Sequence, residues 1–171
     1  MKIGDLLEKW NLTALRVKTP ILELDWSPGD VDKDAAWDLY VELLTRVATQ
    51  PIATGEGVEK SALESVAQLF PLTRETLKHH GRQAVGFSRI AIVVLNQIVR
   101  PFAAERHLLS ERGAFEEEKE RARFRSDLAG LQRQLRNYTG LLADLAGVEN
   151  LTGIAPSQGT SDEGETAIEV D

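Results

Sequence analysis

The chain has 171 residues, no cysteine and a formal net charge of -7. A chain of this length folds by default as one domain that buries most of its apolar surface. The lack of cysteine excludes disulfides, thiolate catalysis and cysteine-ligated zinc or iron–sulfur sites. No N-terminal segment combines a basic start with an apolar core, as a signal peptide would, so we expect a cytoplasmic protein.

The acidic charge is concentrated at the end of the chain. From Leu151 onward there are five acids and neither Lys nor Arg. The rest of the chain is close to neutral, unlike the basic surface of a general nucleic-acid binder. Because the last segment is rich in Gly, Ser, Thr and acids, we predict one domain at 1–150 and a disordered acidic tail at 151–171.

The first part of the chain changes period. Residues 1–10 have apolar side chains at helical spacing and predict a short amphipathic helix. From 13 to 27 apolar and polar residues alternate, so that Val17 would face Leu24 across a turn near Pro20. We therefore predict an N-terminal β-hairpin at about 13–27, packed on the helices because a lone hairpin is only marginally stable in water.

A helix is predicted over residues 30–49, and it should end there because Pro51 follows. Its inward face would include Trp37 and Val41, and its outward face Asp38 and Glu42. We expect the three tryptophans to form one core, with an exposed aromatic patch for a partner as the alternative: Trp10, Trp26 and Trp37.

Two short helices come next. The first is predicted over 58–70, and Pro71 should interrupt it. The second should end at Gly81, a residue typical of the position after a helix.

The stretch around which we expect the fold to be organised is a helix at 82–100. Its centre, Ile90–Leu95, is apolar on every side and has to be covered by other elements. This run is shorter than the ~20 residues that a membrane span needs, so we interpret it as the core of a soluble bundle and expect no membrane association. Pro101 removes a backbone donor, which predicts a kink or break near Val99.

The last helix carries a heptad seam with spacing 4-3-4-3-4-3. Gly147 should end this helix, with Val148 folding back in a Schellman motif. The positions beside the seam are mostly uncharged, which favours packing within one chain, although a homodimer through the 124–145 seam stays open. The fold class is therefore mainly α, a helical bundle of five to six helices around a central apolar helix with an N-terminal β-hairpin. The seam residues are Phe124, Leu128, Leu131, Leu135, Tyr138, Leu142 and Leu145.

Three strings carry a resemblance: AAWDLYVELLTR (35–46), RIAIVVLNQIVRPFAAERHLLS (89–110) and LRNYTGLLADLAGVENLT (135–152). Over most of residues 1–152 the chain resembles a group of small, uncharacterised helical proteins from bacteria. Such proteins occur as accessory components of multi-gene conflict or defence loci. The resemblance implies a bacterial, cytoplasmic, partner-binding protein, and it supplies no catalytic residue.

A polar stripe on the central helix is the most specific constellation. At about 100° per residue its members fall within one narrow sector. The stripe is either the face that the helix shows to water or a cationic groove for an anionic ligand, a phosphate backbone or an acidic helix. The stripe comprises Arg82, Arg89, Asn96, Arg100 and His107. Asn96 and the adjacent Gln97 interrupt the apolar run, and we interpret them as hydrogen-bonded core amides.

Histidines could indicate a metal site, since Glu75 and His79 are one helical turn apart and His80 is adjacent. A metal needs three or more convergent ligands, whereas neighbouring helical residues point about 100° apart. We therefore interpret these histidines as solvated residues at a helix end. We predict no catalytic residue, no metal site and no cofactor.

The sequence leads to three hypotheses of different classes. The first is a non-enzymatic adaptor or regulatory component of a bacterial multi-protein system, such as a defence system, with a protein partner. The second is a binder of nucleic acid or another anionic ligand through the arginine stripe. The third, a small enzyme or metal protein, has the least support.

Overall fold

The computed structural model describes residues 2–15, 25–46 and 58–153. Within these ranges the chain is helical with short connections, which confirms a mainly α protein. The α-helices are α1 (Ile3–Lys9), α2 (Asp30–Leu44), α3 (Val58–Ala67), α4 (Leu69–His80), α5 (Val85–Val94), α6 (Arg100–Glu111) and α7 (Glu118–Ala146). Single 3-10 turns occur at Gly81–Gln83 and Ala114–Glu116.

The predicted β-hairpin is not supported. Its central part, residues 16–24, lies outside the described residues, and the described ranges contain no strand. The β-type pairing found there is an isolated antiparallel bridge between Lys2 and Asp25. Residues 13–15, which were expected to begin the first strand, form turns and a bend. Alternation over a few residues does not distinguish a strand from an irregular segment that packs every second side chain.

Helices α2 and α7 pack most extensively against each other. All seven residues of the predicted heptad seam are buried within the single chain. This burial agrees with packing inside the bundle, and a homodimer would have to replace those contacts. The seam makes α7 the longest apolar surface on which α2 and the central helix can pack.

The inward face of α2 differs from the predicted one. Its buried residues include Asp32, Ala35 and Leu39, whereas Trp37 is 47% exposed and Val41 38% exposed. The helix is therefore rotated by about one residue relative to our expectation, or about 100°. Two small alanines, Ala35 and Ala36, take the places closest to the neighbouring helices.

The three tryptophans do not form one core. Trp10 packs over Gly140 of α7, where an added Cβ would overlap the indole ring. Trp26 packs in the same way over Gly86 of α5. Trp37 is largely exposed instead. Each of the two buried contacts depends on a glycine, because the ring occupies the space that a side chain would need.

The central helix continues from Val85 to Glu111 and contains a π-helical turn at Leu95–Val99. The Arg100 amide donates to the Leu95 carbonyl, five residues back, just before Pro101. The predicted distortion is thus present, but the helix does not break, because a wider turn absorbs the missing proline donor.

Enclosure of the Ile90–Leu95 run on every side is only partly observed. Ile90, Ala91 and Val94 are buried, but Ile92 is 46% exposed. The two amides that follow, Asn96 and Gln97, are exposed rather than core contacts.

Two terminal features of the helices agree with expectation and one does not. Gly81 follows α4 with φ 66°. At the end of α7 the amide of Val148 donates to the Ala143 carbonyl at 3.0 Å and Gly147 has φ 72°, as in a Schellman motif. Pro71 does not interrupt a helix, because it lies in the first turn of α4, where amides have no helical partner.

Asp32 joins α2 to the start of α5. Its Oδ1 accepts a hydrogen bond from the Phe87 amide at 2.9 Å, and its Oδ2 accepts one from the Gly29 amide at 3.4 Å. The carboxylate is 5% exposed, and no side chain of the residue preceding α5 caps that helix. One side chain therefore satisfies amides at the N-termini of two helices.

The segment after α7 is held against α2. The Tyr40 hydroxyl donates to the Glu149 carbonyl at 3.1 Å and accepts from the Leu151 amide at 3.0 Å. The described chain continues to Gly153, three residues beyond the boundary proposed from composition. Residues 154–171, most of the predicted acidic tail, lie outside the described residues.

Candidate functional site

A surface groove lies between α2 and α4, with a volume of about 430 Å³. Each helix contributes residues from one face, so the groove follows directly from the packing of these two helices. The lining residues are Trp37, Asp38, Val41, Glu42, Leu72, Glu75, Thr76 and His79.

Three of the side chains that line the groove are apolar. Trp37 and Val41 are exposed and one turn apart on α2, and Leu72 belongs to α4. The Trp37 ring centroid lies 5.8 Å from that of Tyr40, which is itself buried. The indole is thus supported from one side, and much of its surface is left exposed.

Three of the side chains that line the groove are acidic. Asp38 and Glu42 come from α2, and Glu75 comes from α4. Glu42 Oε2 lies 2.8 Å from Arg46 Nη2, in an ion pair that is partly exposed. A groove lined by both apolar side chains and carboxylates is suited to a ligand that has apolar groups and positive charge on the same face.

At one end of the groove three potential metal ligands meet. His80 Nε2 lies 2.7 Å from Asp38 Oδ2, and the His79 and His80 ring centroids are 4.9 Å apart at an interplanar angle of 87°. One ligand atom from each of Asp38, His79 and His80 lies within 4.8 Å of the other two. The His80 side chain is only 11% exposed, so its ring is held by its surroundings.

The sequence predicts that His79 and His80 are solvated residues at a helix end. Neighbouring helical residues leave the backbone about 100° apart. The imidazole rings of His79 and His80 nevertheless converge, because these side chains are long enough to bend towards each other. The third ligand, Asp38, is 41 positions before His79 in the chain, and no local pattern connects the two. The exposure of Trp37 was missed for a related reason, because it depends on how α2 is rotated against α7.

The five residues of the arginine stripe are all exposed. They extend over about 37 Å of chain at helical rise. Arg82 lies in the separate 3-10 turn before α5, and the π-helical turn between Arg89 and Arg100 changes the angular phase. Arg100 Nε donates to Asn96 Oδ1 at 3.0 Å, and His107 Nε2 lies 3.3 Å from Glu111 Oε1. The narrow sector calculated for a regular helix therefore does not hold across the whole stripe.

Arg89 also borders an apolar pocket of about 250 Å³ beside α1. Its other walls are aliphatic side chains of α1, Leu15 and the central helix. Residues 16–24 follow Leu15 directly and lie outside the described residues.

Buried charges elsewhere join α3 and α6 to α7. Glu59 is 3% exposed and accepts a hydrogen bond from Arg125 at 2.6 Å. Arg106 is 4% exposed and is paired with Asp127. These pairs link helices across the core, and we interpret them as structural because each charge faces an opposite charge.

Within the described residues one helix, Val85–Glu111, has the length and mean hydropathy (1.3) of a membrane-crossing segment. The core helix of a soluble bundle has the same pattern, and the inner face of this helix packs against α2 and other elements of the bundle.

No protein-family model matches the chain, and no curated protein or solved structure is similar to it. The resemblance to small helical bacterial proteins, the expected cytoplasmic location and the expected partners therefore stay predictions.

Proposed function

We propose that this chain is a non-enzymatic adaptor or regulatory protein and that the groove between α2 and α4 binds a basic, amphipathic helix of a partner protein. The observation that carries the proposal is the half-exposed Trp37, which lines the groove together with Val41 and the carboxylates of Asp38, Glu42 and Glu75. Following the resemblance described above, we propose that the partner belongs to a bacterial multi-protein system, such as a defence system.

Trp37 leaves a large part of its apolar ring in contact with water. An indole ring offers a large apolar area at little entropic cost, and tryptophan is enriched among residues that dominate binding energy. A partner helix that buries this ring with aliphatic side chains would gain apolar contact along the α2–α4 groove.

Charge selects among such helices. Carboxylates from both of the helices that line the groove favour lysine or arginine on the bound face. The exposed Trp37 ring adds a cation–π contact worth roughly 0.5–1 kcal/mol at an exposed site. An acidic amphipathic helix of the same shape would meet like charge and bind less well.

A pair of synthetic peptides tests this directly. One is an amphipathic helix of leucine and lysine, and the other has glutamate at every lysine position. In NMR titrations with the purified chain, the lysine peptide should shift the Trp37 indole signal in a saturable way. The chain has three tryptophans, so Trp10, whose indole nitrogen donates to Asp144 at 2.7 Å, serves as an internal reference.

Two matched variants locate the binding. Trp37→Ala should weaken the binding of the lysine peptide about 30-fold or more, which corresponds to about 2 kcal/mol for a dominant contact. Leu108→Ala removes another apolar side chain with the same 47% exposure on α6 and should leave the affinity unchanged. Equal binding of both peptides, or equal effects of both variants, would contradict the proposal. A natural partner isolated with the wild-type chain should likewise depend on Trp37 and not on Leu108.

The alternative is an anionic-ligand binder that uses the exposed Arg82, Arg89 and Arg100. Its support is that all three residues are exposed, within or just before the central helix. If DNA or RNA binds, log K should fall steeply with log salt, by about 0.9 for each duplex phosphate contacted. Arg89→Gln should then reduce that slope, whereas Trp37→Ala should not.

A further inference from the structure

We infer that Asp38, His79 and His80 form a binding site for one divalent transition-metal ion. The inference rests on ligand geometry and does not depend on the proposed partner. No sequence motif indicated the site, because α2 supplies one ligand and the C-terminal end of α4 supplies two.

The positions of the ligand atoms are close to those that a metal requires. Bonds of about 2.0–2.1 Å in a tetrahedral site place the ligand atoms about 3.3 Å apart. The three atoms here lie within 4.8 Å of one another, and His80 Nε2 and Asp38 Oδ2 are separated by 2.7 Å. His79 and Asp38 are exposed, and their side chains would rotate to bring the ligand atoms to the spacing that a bound ion requires.

The ligand types select the class of metal. Two imidazoles and one carboxylate suit Zn²⁺, Co²⁺, Ni²⁺ or Cu²⁺, whereas Ca²⁺ and Mg²⁺ prefer all-oxygen sites. Three protein ligands leave at least one coordination position for water or for a donor from another molecule. The open position would face the groove, because Asp38 and His79 both line it.

The surroundings favour a cation. His79 and His80 are in the last turn of α4, at the negative end of the helix dipole. Gly81, with φ 66°, ends the helix immediately after them, so the chain turns away from the site. Glu75, one turn before His79, adds negative charge on the groove side, whereas the charge of Glu42 is paired with Arg46.

The partial burial of His80 gives the site its order. With 11% of its side chain exposed, the ring cannot sample many rotamers before a metal arrives. The hydrogen bond of 2.7 Å between His80 Nε2 and Asp38 Oδ2 is the contact that an ion would replace, because the same two atoms would become its ligands. A preorganised imidazole loses less entropy on coordination than a solvated one.

The experiment is a calorimetric titration of ZnCl₂ into the full chain after removal of any polyhistidine tag. The wild type should bind one equivalent. Asp38→Asn, His79→Gln and His80→Gln should each weaken Zn²⁺ binding by more than about tenfold, since even residues that merely orient a ligand cost 10–100-fold when they are removed. The Co²⁺ complex should show the intense d–d absorption of a four-coordinate ion in the wild type and lose it in each variant.

The third histidine of the chain provides the control. His107 is exposed beside Glu111 on α6, away from the proposed ligands, so His107→Gln should bind Zn²⁺ like the wild type. The inference is wrong if the wild type shows no saturable Zn²⁺ binding, if His107→Gln loses binding, or if Asp38→Asn keeps it. Far-UV circular dichroism of each variant shows that the helices are intact. The Zn²⁺ titration contains no peptide and the peptide titrations contain no Zn²⁺, so the two proposals can fail independently. A lack of Zn²⁺ binding would leave the groove proposal standing, and a lack of peptide binding would leave the metal-site inference standing.

Discussion

Asp32→Ala is the substitution that best tests how this fold is connected. The side chain accepts hydrogen bonds from Phe87, near the start of α5, and from Gly29, before α2. At 5% exposure, Asp32 is shielded from water, so its loss leaves the nearby Phe87 amide without an acceptor. The effect therefore exceeds that of removing a surface carboxylate.

The magnitude follows from two terms. A hydrogen bond to a charged acceptor contributes about 1.5–3 kcal/mol, including the cost of an unsatisfied buried donor. A carboxylate near a helix N-terminus adds about 0.3–1 kcal/mol through the helix dipole. Asp32→Ala should therefore lower the free energy of unfolding by about 2–4 kcal/mol. Asp32→Asn keeps an oxygen acceptor and loses the charge, so it should cost less than half as much.

The measurement is urea unfolding followed by far-UV circular dichroism at pH 7, with the midpoint and the slope fitted together. Asp34→Ala is the control, because Asp34 is exposed in the same helix, and we expect a change within about 0.5 kcal/mol. If Asp32→Ala matches this control, the Asp32 carboxylate does not connect α2 to α5 energetically and the reasoning is refuted. An unchanged slope shows that the native and unfolded states remain comparable.

Three further predictions concern the core and the end of the domain. Leu95→Ala should cost about 2–5 kcal/mol in urea unfolding by leaving a cavity, and a cost below 1 kcal/mol would show that the site collapses freely. Burial raises the pKa of the Tyr138 hydroxyl, which has no hydrogen-bond partner among the described residues. Below the ordinary tyrosine pKa of about 10 the Tyr138 hydroxyl is neutral in both the folded and the unfolded state, whereas above it only the unfolded state ionises. The free energy of unfolding of the wild type should therefore fall by about 1.4 kcal/mol per pH unit above pH ~10, and that of Tyr138→Phe should fall less. Truncation after Gly153 should leave the melting temperature unchanged, whereas truncation after Asn150 also removes the Leu151 amide bound to Tyr40 and should lower it.

Helix termini were the part of the fold that could be read from the chain most directly. Asn11, with φ 51°, follows α1, and the Schellman motif ends α7 where Gly147 predicted it. These features depend on residues close in sequence, and their backbone conformations are properties of glycine and asparagine themselves. The distortion before Pro101 belongs to the same class, since a missing amide has to be accommodated within one turn.

The candidate sites could not be read in that way. The arginine stripe was identified on the assumption of a regular helix, and the π-helical turn at Leu95–Val99 altered its phase. The groove was missed because Trp37 and Val41 were assigned to the core. Apolar residues lie around most of the circumference of α2, so more than one rotation of the helix would bury an apolar face. The rotation that is adopted depends on the side chains of α7 and α4 that pack against it.

Periodicity, glycine and proline act over a few residues, so the chain alone predicts most of the helical segments and the helix ends at Gly81 and Gly147. The rotation of α2, which leaves Trp37 exposed and brings Asp38 to His80, depends on tertiary packing. The physical reason is that apolar burial is non-directional: it requires that a helix be covered but does not specify which of several suitable faces is covered. That choice depends on side-chain packing between residues far apart in the chain, such as Trp10 against Gly140.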